Sequence, residues 1–226
     1  MTEISRLLLT LQHADSFFPS GSIAFSYGLE TSAADGYVIS EADVEQFLSH
    51  QILYRWATFD RSVLSSTWLS CADFGQICDN DYQVETFSLT EDMREGSKRN
   101  GRALLNVHLN LGLKDAQIFR GLIEEGRGFG HLSIVQAIVW HGIGLSLDDA
   151  EMVSVHGLCV SVLGAAIRLG LIGHLGSQRI QTRMRKVIES ALSQKRLSLE
   201  ASYAFTPLVD IAVMRHKFQN SRLFSH

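Results

Sequence analysis

Residues 146–169, SLDDAEMVSVHGLCVSVLGAAIRL, decide the fold. Ser146 with Asp149 makes an S-x-x-D start, in which a hydroxyl and a carboxylate satisfy the free N–H groups of a helix's first turn. Between Glu151 and Arg168 the stretch carries no Asp, Glu, Lys or Arg, so a helix here is apolar on nearly every side. Such a helix belongs inside a protein or across a membrane. Gly157, Ser161, Gly164 and Ala165 fall on neighbouring turns, and small residues in that pattern predict a close approach by another helix. We therefore read it as the buried central helix of a bundle.

The sequence on either side supports a bundle. Upstream, Ser40 and Asp43 form a second S-x-x-D start, followed by Val44, Phe47, Leu48, Ile52 and Trp56 at spacings of three and four. Val63, Leu64, Thr67, Trp68, Cys71 and Phe74 extend this into one further stripe, with Cys78 seven residues past Cys71 on the same face. Asp79-Asn80-Asp81 then reads as a break. Thr90 is placed to cap a helix to about His108, and Gly112 and the run 126–130 (GRGFG) read as helix ends. Downstream, a basic helix over about 175–195 sets Arg179, Arg183 and Lys186 against Ile180, Met184, Val187, Ile188 and Leu192. Pro207 opens a short last helix. Only two prolines occur, Pro19 and Pro207, and no run alternates as a strand does. The expected fold is all-α, a single-domain bundle of about eight to ten helices over residues 1–226.

Composition narrows the function. Of 226 residues, 46% are hydrophobic and 19% charged, below the roughly 25% charged typical of soluble domains, which points to a large core or to surface meant for burial. The net charge of −4 is unevenly distributed. From Arg168 onward ten Lys/Arg face three acidic residues, a net of +7, leaving −11 on the rest. That basic third lacks interleaved aromatics and a helix-turn-helix pattern, so an acidic protein partner suits it better than nucleic acid. Residues 128–147 (GFGHLSIVQAIVWHGIGLSL) carry no Asp, Glu, Lys or Arg, but His131, Gln136, His141 and several glycines make them a core helix and not a membrane span. Cys71, Cys78 and Cys159 show no C-x-x-C pattern and no leader precedes them, so a reducing, cytoplasmic setting is expected.

Catalytic patterns are absent. None of the nine histidines sits in a metal-ligand spacing, no G-x-S-x-G elbow or P-loop occurs, and Gly126, Gly128 and Gly130 follow no strand. Catalytic, cofactor and metal residues are accordingly assigned to none. The alternative is a helical metal-binding protein or metal-dependent enzyme whose site residues are scattered along the chain.

Residues 15–30, DSFFPSGSIAFSYGLE, are the most distinctive stretch. Pro19-Ser20-Gly21 reads as a turn, and Gly28 permits a tight backbone approach before Leu29. The stretch resembles the opening motif of the UreF family of urease accessory proteins. Residues 94–105 (REGSKRNGRALL), 165–169 (AAIRL) with 173–178 (GHLGSQ), and Asp210…His216…Arg222-Leu223-Phe224 resemble that family's later motifs, in order. Ser22 and Phe25 stand where the family usually has glycine and histidine.

The resemblance implies a non-catalytic, dimeric maturation factor. It would bind a UreD-type partner (UreH in some systems), recruit the UreG-type GTPase to apo-urease and support nickel insertion, with nickel handled by the complex and no cofactor bound stably by this chain. Carried onto this sequence, the resemblance makes Ser26, Gly28, Glu30, Arg168, Gln178 and Arg179 partner-facing. It places Arg222, Leu223 and Phe224 in a partner-held tail over about 216–226. Leu223 and Phe224 read as apolar anchors without a seat of their own, and Arg222 as a forked donor beside them.

Overall fold

The computed structural model describes residues 2–19, 25–88, 90–218, 223 and 224. Among them there is no strand. The helices are α1 (Glu3–Ala14), α2 (Leu29–Ala34), α3 (Glu41–Gln51), a π-helical segment (Ile52–Asp60), α4 (Arg61–Leu69), α5 (Phe74–Phe87) and α6 (Glu91–Asn110). They continue as α7 (Lys114–Glu124), α8 (Leu132–Gly142), α9 (Leu147–Arg168), α10 (His174–Ser193) and α11 (Pro207–His216). Because α3, the π segment and α4 run on without a break, these make ten rods. The all-α bundle holds.

Three helix starts form as their sequences dictate. Ser40 Oγ accepts from Asp43 N while the Asp43 carboxylate accepts from Ser40 N, a complete capping box. Thr90 Oγ1 accepts from Met93 N, and Ser146 Oγ from Asp149 N. The π segment joins α3 to α4 in one rod. The break expected at 79–81 is absent, because α5 runs through it. Phe74 starts α5 while Cys71 lies in the turn after α4, so Cys71 and Cys78 do not share one helix face.

The core has two lobes. One gathers Leu29, Leu48, Ile52, Trp56, Val162, Ile180 and Val213; the other gathers Val63, Leu64, Ile77, Leu105, Phe119, Ile134 and Ile138. Two long elements serve both. The α3–π–α4 rod gives Trp56 to the first and Phe59 to the second, and α9 gives Val155 to the first and Val153 to the second. α9 passes from the second lobe at its start (Ala150, Val153) into the first over the rest of its length (Val155 to Ala166), so it is buried among apolar side chains along almost its whole length. It is long and apolar enough to cross a membrane, yet 67% of its most apolar window is buried in the protein. The 128–147 stretch yields only the 11-residue α8, with seven residues buried from Ser133 to Trp140.

The expected close approach on α9 is not at its glycines, since a Cβ on Gly157 or Gly164 would meet nothing within 4 Å. Tight contact occurs instead on α6. A Cβ on Gly101 would lie 2.1 Å from the Gly130 carbonyl oxygen, and one on Gly96 2.4 Å from the Phe25 ring.

Candidate functional site

Phe25, Ser26, Tyr27 and Gly28 lead into α2 by an unusual backbone path. Tyr27 has φ +54° and Gly28 φ +81°, both left-handed, and only glycine adopts that region without strain. A Cβ at Gly28 would also stand 3.2 Å from Val213 Cγ2 and 3.3 Å from the Val209 carbonyl oxygen. Gly28 thus lets α2 lie directly on α11, as the sequence predicts. Ser26 is buried, and its carbonyl accepts from Leu29 N.

On that contact Glu30 is turned inward, 6% exposed. Its carboxylate accepts from His216 Nε2 at 2.8 Å, from Leu223 N at 2.6 Å and from Phe224 N at 3.3 Å. Two successive main-chain N–H groups and an imidazole therefore converge on one buried carboxylate, the arrangement that makes burying a charge tolerable. The Arg168 guanidinium, on the last residue of α9, lies 4.2 Å from the centre of the Phe224 ring, a cation–π contact of about 0.5–2 kcal/mol. On the outer side Arg215 Nη1 donates to Asp35 at 2.7 Å.

Six of the sequence-derived residues, Ser26, Gly28, Glu30, Arg168, Leu223 and Phe224, thus meet in one knot of α2, α9, α11 and the tail. Gln178 and Arg179 are engaged elsewhere. Gln178 is exposed on α10, and Arg179 forks onto Glu41 of α3 at 3.1 and 2.6 Å, beside Arg183 on Glu41 and Glu45. The chain's own acidic helix answers this part of the basic helix. Arg222 lies outside the described residues, as do Ser20 and Gly21 of the expected turn. The expectation of two unseated anchors holds for Leu223, which is 69% exposed, and fails for Phe224, which is 4% exposed and packs into the first core lobe.

Other motif residues are structural. The N–H groups of Phe129, Gly130 and His131 point together, as in an anion cradle, but the Asp81 carboxylate fills it at 2.6, 2.8 and 3.2 Å. Arg102 of the 94–105 stretch donates to the Phe129 carbonyl, and Arg94 to the Ser88 carbonyl. Among the described residues no three His, Cys, Asp or Glu side chains group as a metal site would require. Burial pushes the Cys71 and Cys159 thiols up to about 12, so neither is a ready nucleophile or ligand.

Two features were missed in the sequence. Ile4, Leu7, Leu8 and Leu11 form a helical stripe on α1 that faces solvent, each more than half exposed. Its spacing of three and four was legible. The second is a cavity of about 90 Å³ between α1, the 25–28 segment, the π segment, α6, α8 and α9. Its wall includes His13, Tyr27, Arg55, Asp60, Gln136 and Trp140. Burial raises the Asp60 carboxyl above its ordinary value, against the pull of Arg55 3.6 Å away. No local pattern marks this space, because its wall residues come from six distant segments.

The sequence model of the UreF family matches residues 38–185. A protein of Trichodesmium erythraeum named urease accessory protein UreF is 31% identical over 230 residues, covering 100% of this chain and 99% of its own length. Proteins of the same name from Photorhabdus laumondii and Haemophilus influenzae strain KW20 are 25% and 27% identical. They cover 98% and 99% of this chain, and 98% and 96% of their own lengths. With its helical order, its 25–30 motif and its tail spanned end to end by these relatives, the chain belongs to the UreF family of urease accessory proteins.

Proposed function

We propose that this chain is a non-catalytic assembly subunit in urease maturation. Through the α2–α11–tail knot it binds a UreD/UreH-type accessory protein. The pair then recruits a UreG-type GTPase to apo-urease, in the cytoplasm, with the chain acting as a homodimer and nickel handled by the complex. The observation that carries this reading is the knot itself: buried Glu30 holds the backbone of Leu223 and Phe224 while the Leu223 side chain stays exposed, and α11, on which α2 lies, exposes Leu208, Ile211 and Met214. Large apolar side chains left exposed on a tail and on the helix packed next to its anchor are what a protein partner covers.

Co-expression with UreD-type and UreG-type proteins tests this. A stable complex is expected, and recovery of only the free chain while the other two fold would refute it. Phe224→Ala empties the seat under Arg168 and should weaken complex assembly by at least about tenfold. Helical circular dichroism should be unchanged, because Phe224 lies outside every described helix. Assembly at the wild-type level would remove the tail from the interface.

A further inference from the structure

His108 of α6 is fully buried, and neither of its ring nitrogens has a hydrogen-bond partner. It faces His13 of α1, ring centre to ring centre at 5.3 Å with planes 14° apart, and Phe18 packs on both at 5.9 and 4.6 Å. His13 Nδ1 lies 2.8 Å from the Leu9 carbonyl, so it carries the proton, and its buried Nε2 is left without a partner. α1 itself contributes no buried residue, and rests on the body through Leu9, Ala14 and an Arg6–Asp149 contact at 3.4 Å. A helix so lightly held, docked across two imidazoles of whose four ring nitrogens three lack a partner, stays docked only while both are neutral.

We propose that the His13–His108 pair is a proton-operated latch that holds α1 on the body and releases it as the pH falls. Charged and titratable groups on the surrounding elements are committed elsewhere. Asp15 accepts from Phe17 N, Asp149 meets Arg6, Arg55 meets Asp60, Glu151 meets Arg61 and Arg196, Glu85 meets Lys98 and His131, and Arg102 donates to the Phe129 carbonyl. His156 of α9 faces Gln181, and His141 of α8 packs on Trp68. Among the described residues no carboxylate forms an ion pair or hydrogen bond with either imidazole.

Burial lowers His13 below the ordinary value, and burial followed by His13 itself lowers His108 from 6.5 to about 4. Docking is therefore fully favoured above 6.5 and lost progressively as the pH falls from 6.5 toward 4. His108 alone shifts the docking equilibrium by about tenfold at pH 5.5. Amide hydrogen exchange of the whole chain at pH 7.5 and 5.5, corrected for intrinsic rates, tests this. Amides of residues 3–14 should lose about tenfold protection or more while those of α9 keep theirs. In His13→Phe and in His108→Phe that loss should shrink. Unchanged protection in the wild type overturns the proposal, as does an equal loss in both variants. Should either variant misfold, the imidazole C–H resonances of the wild type decide: His108 must titrate well below 6.5, and a midpoint near 6.5 overturns the latch.

Discussion

Alanine at Gly101 is expected to destabilise the chain by about 2–4 kcal/mol, although the same change in an open helix would stabilise it by up to about 1 kcal/mol. The reason is where α6 crosses the start of α8. The added Cβ would stand 2.1 Å from the Gly130 carbonyl oxygen, 2.9 Å from the His131 carbonyl carbon and 3.0 Å from Leu132 N. All three neighbours are main-chain atoms, and they belong to the segment whose N–H groups are already fixed on Asp81. Neither side has a flexible end to yield. Gly121 in α7 is the control, since a Cβ there would meet nothing within 4 Å. Urea denaturation should show Gly101→Ala shifted to lower midpoint and Gly121→Ala unchanged or raised; parallel shifts would contradict the crossing geometry.

Arg61→Ala should cost about 3 kcal/mol or more, roughly 1 kcal/mol for each hydrogen bond it removes, with the buried Glu151 left to its second partner Arg196 at 2.7 Å. Arg61 and Glu151 are 3% and 1% exposed, and meet at 3.1 Å. The same guanidinium donates to the carbonyls of Ala191, Leu192 and Gln194, ending α10 where no glycine does so. Replacing both partners in Arg61→Met/Glu151→Met should recover part of the loss by removing a buried carboxylate that Arg196 alone would be left to pair. The remainder, roughly 1 kcal/mol for each net hydrogen bond, stays lost because the α10 carbonyls stay open. Equal stability of the single and double variants would show that Arg61 acts through the carbonyls alone. Amide exchange near residues 188–194 should be faster in both.

Local chemistry explains which parts of the fold were legible. Ser40, Thr90 and Ser146 announce helix starts because a cap needs only three neighbouring residues. Asp79-Asn80-Asp81 misled because its polarity serves a distant segment: Asp81 is buried under the loop of Phe129 to His131, 48 to 50 residues away. The small residues of α9 misled for a related reason. Gly157 borders the cavity rather than a helix, while the true close crossing falls at Gly101 within a charged stretch.

The site divides along the same line. Glu30, Gly28, Arg168 and Phe224 were found as motif residues, but their convergence depends on a contact spanning 194 positions that no spacing reveals. Arg179 carried a charge suited to a partner, and Glu41 was not seen as its mate because 138 residues separate them.

One consequence of the long central helix remains. Asp149 at its start touches Arg6 under the outward apolar stripe of α1, and Arg168 at its end clamps Phe224. At 1.5 Å per residue the two points stand about 29 Å apart along the axis. The apolar helix therefore works as a ruler, and its length fixes how far a single protein must reach to touch both ends at once.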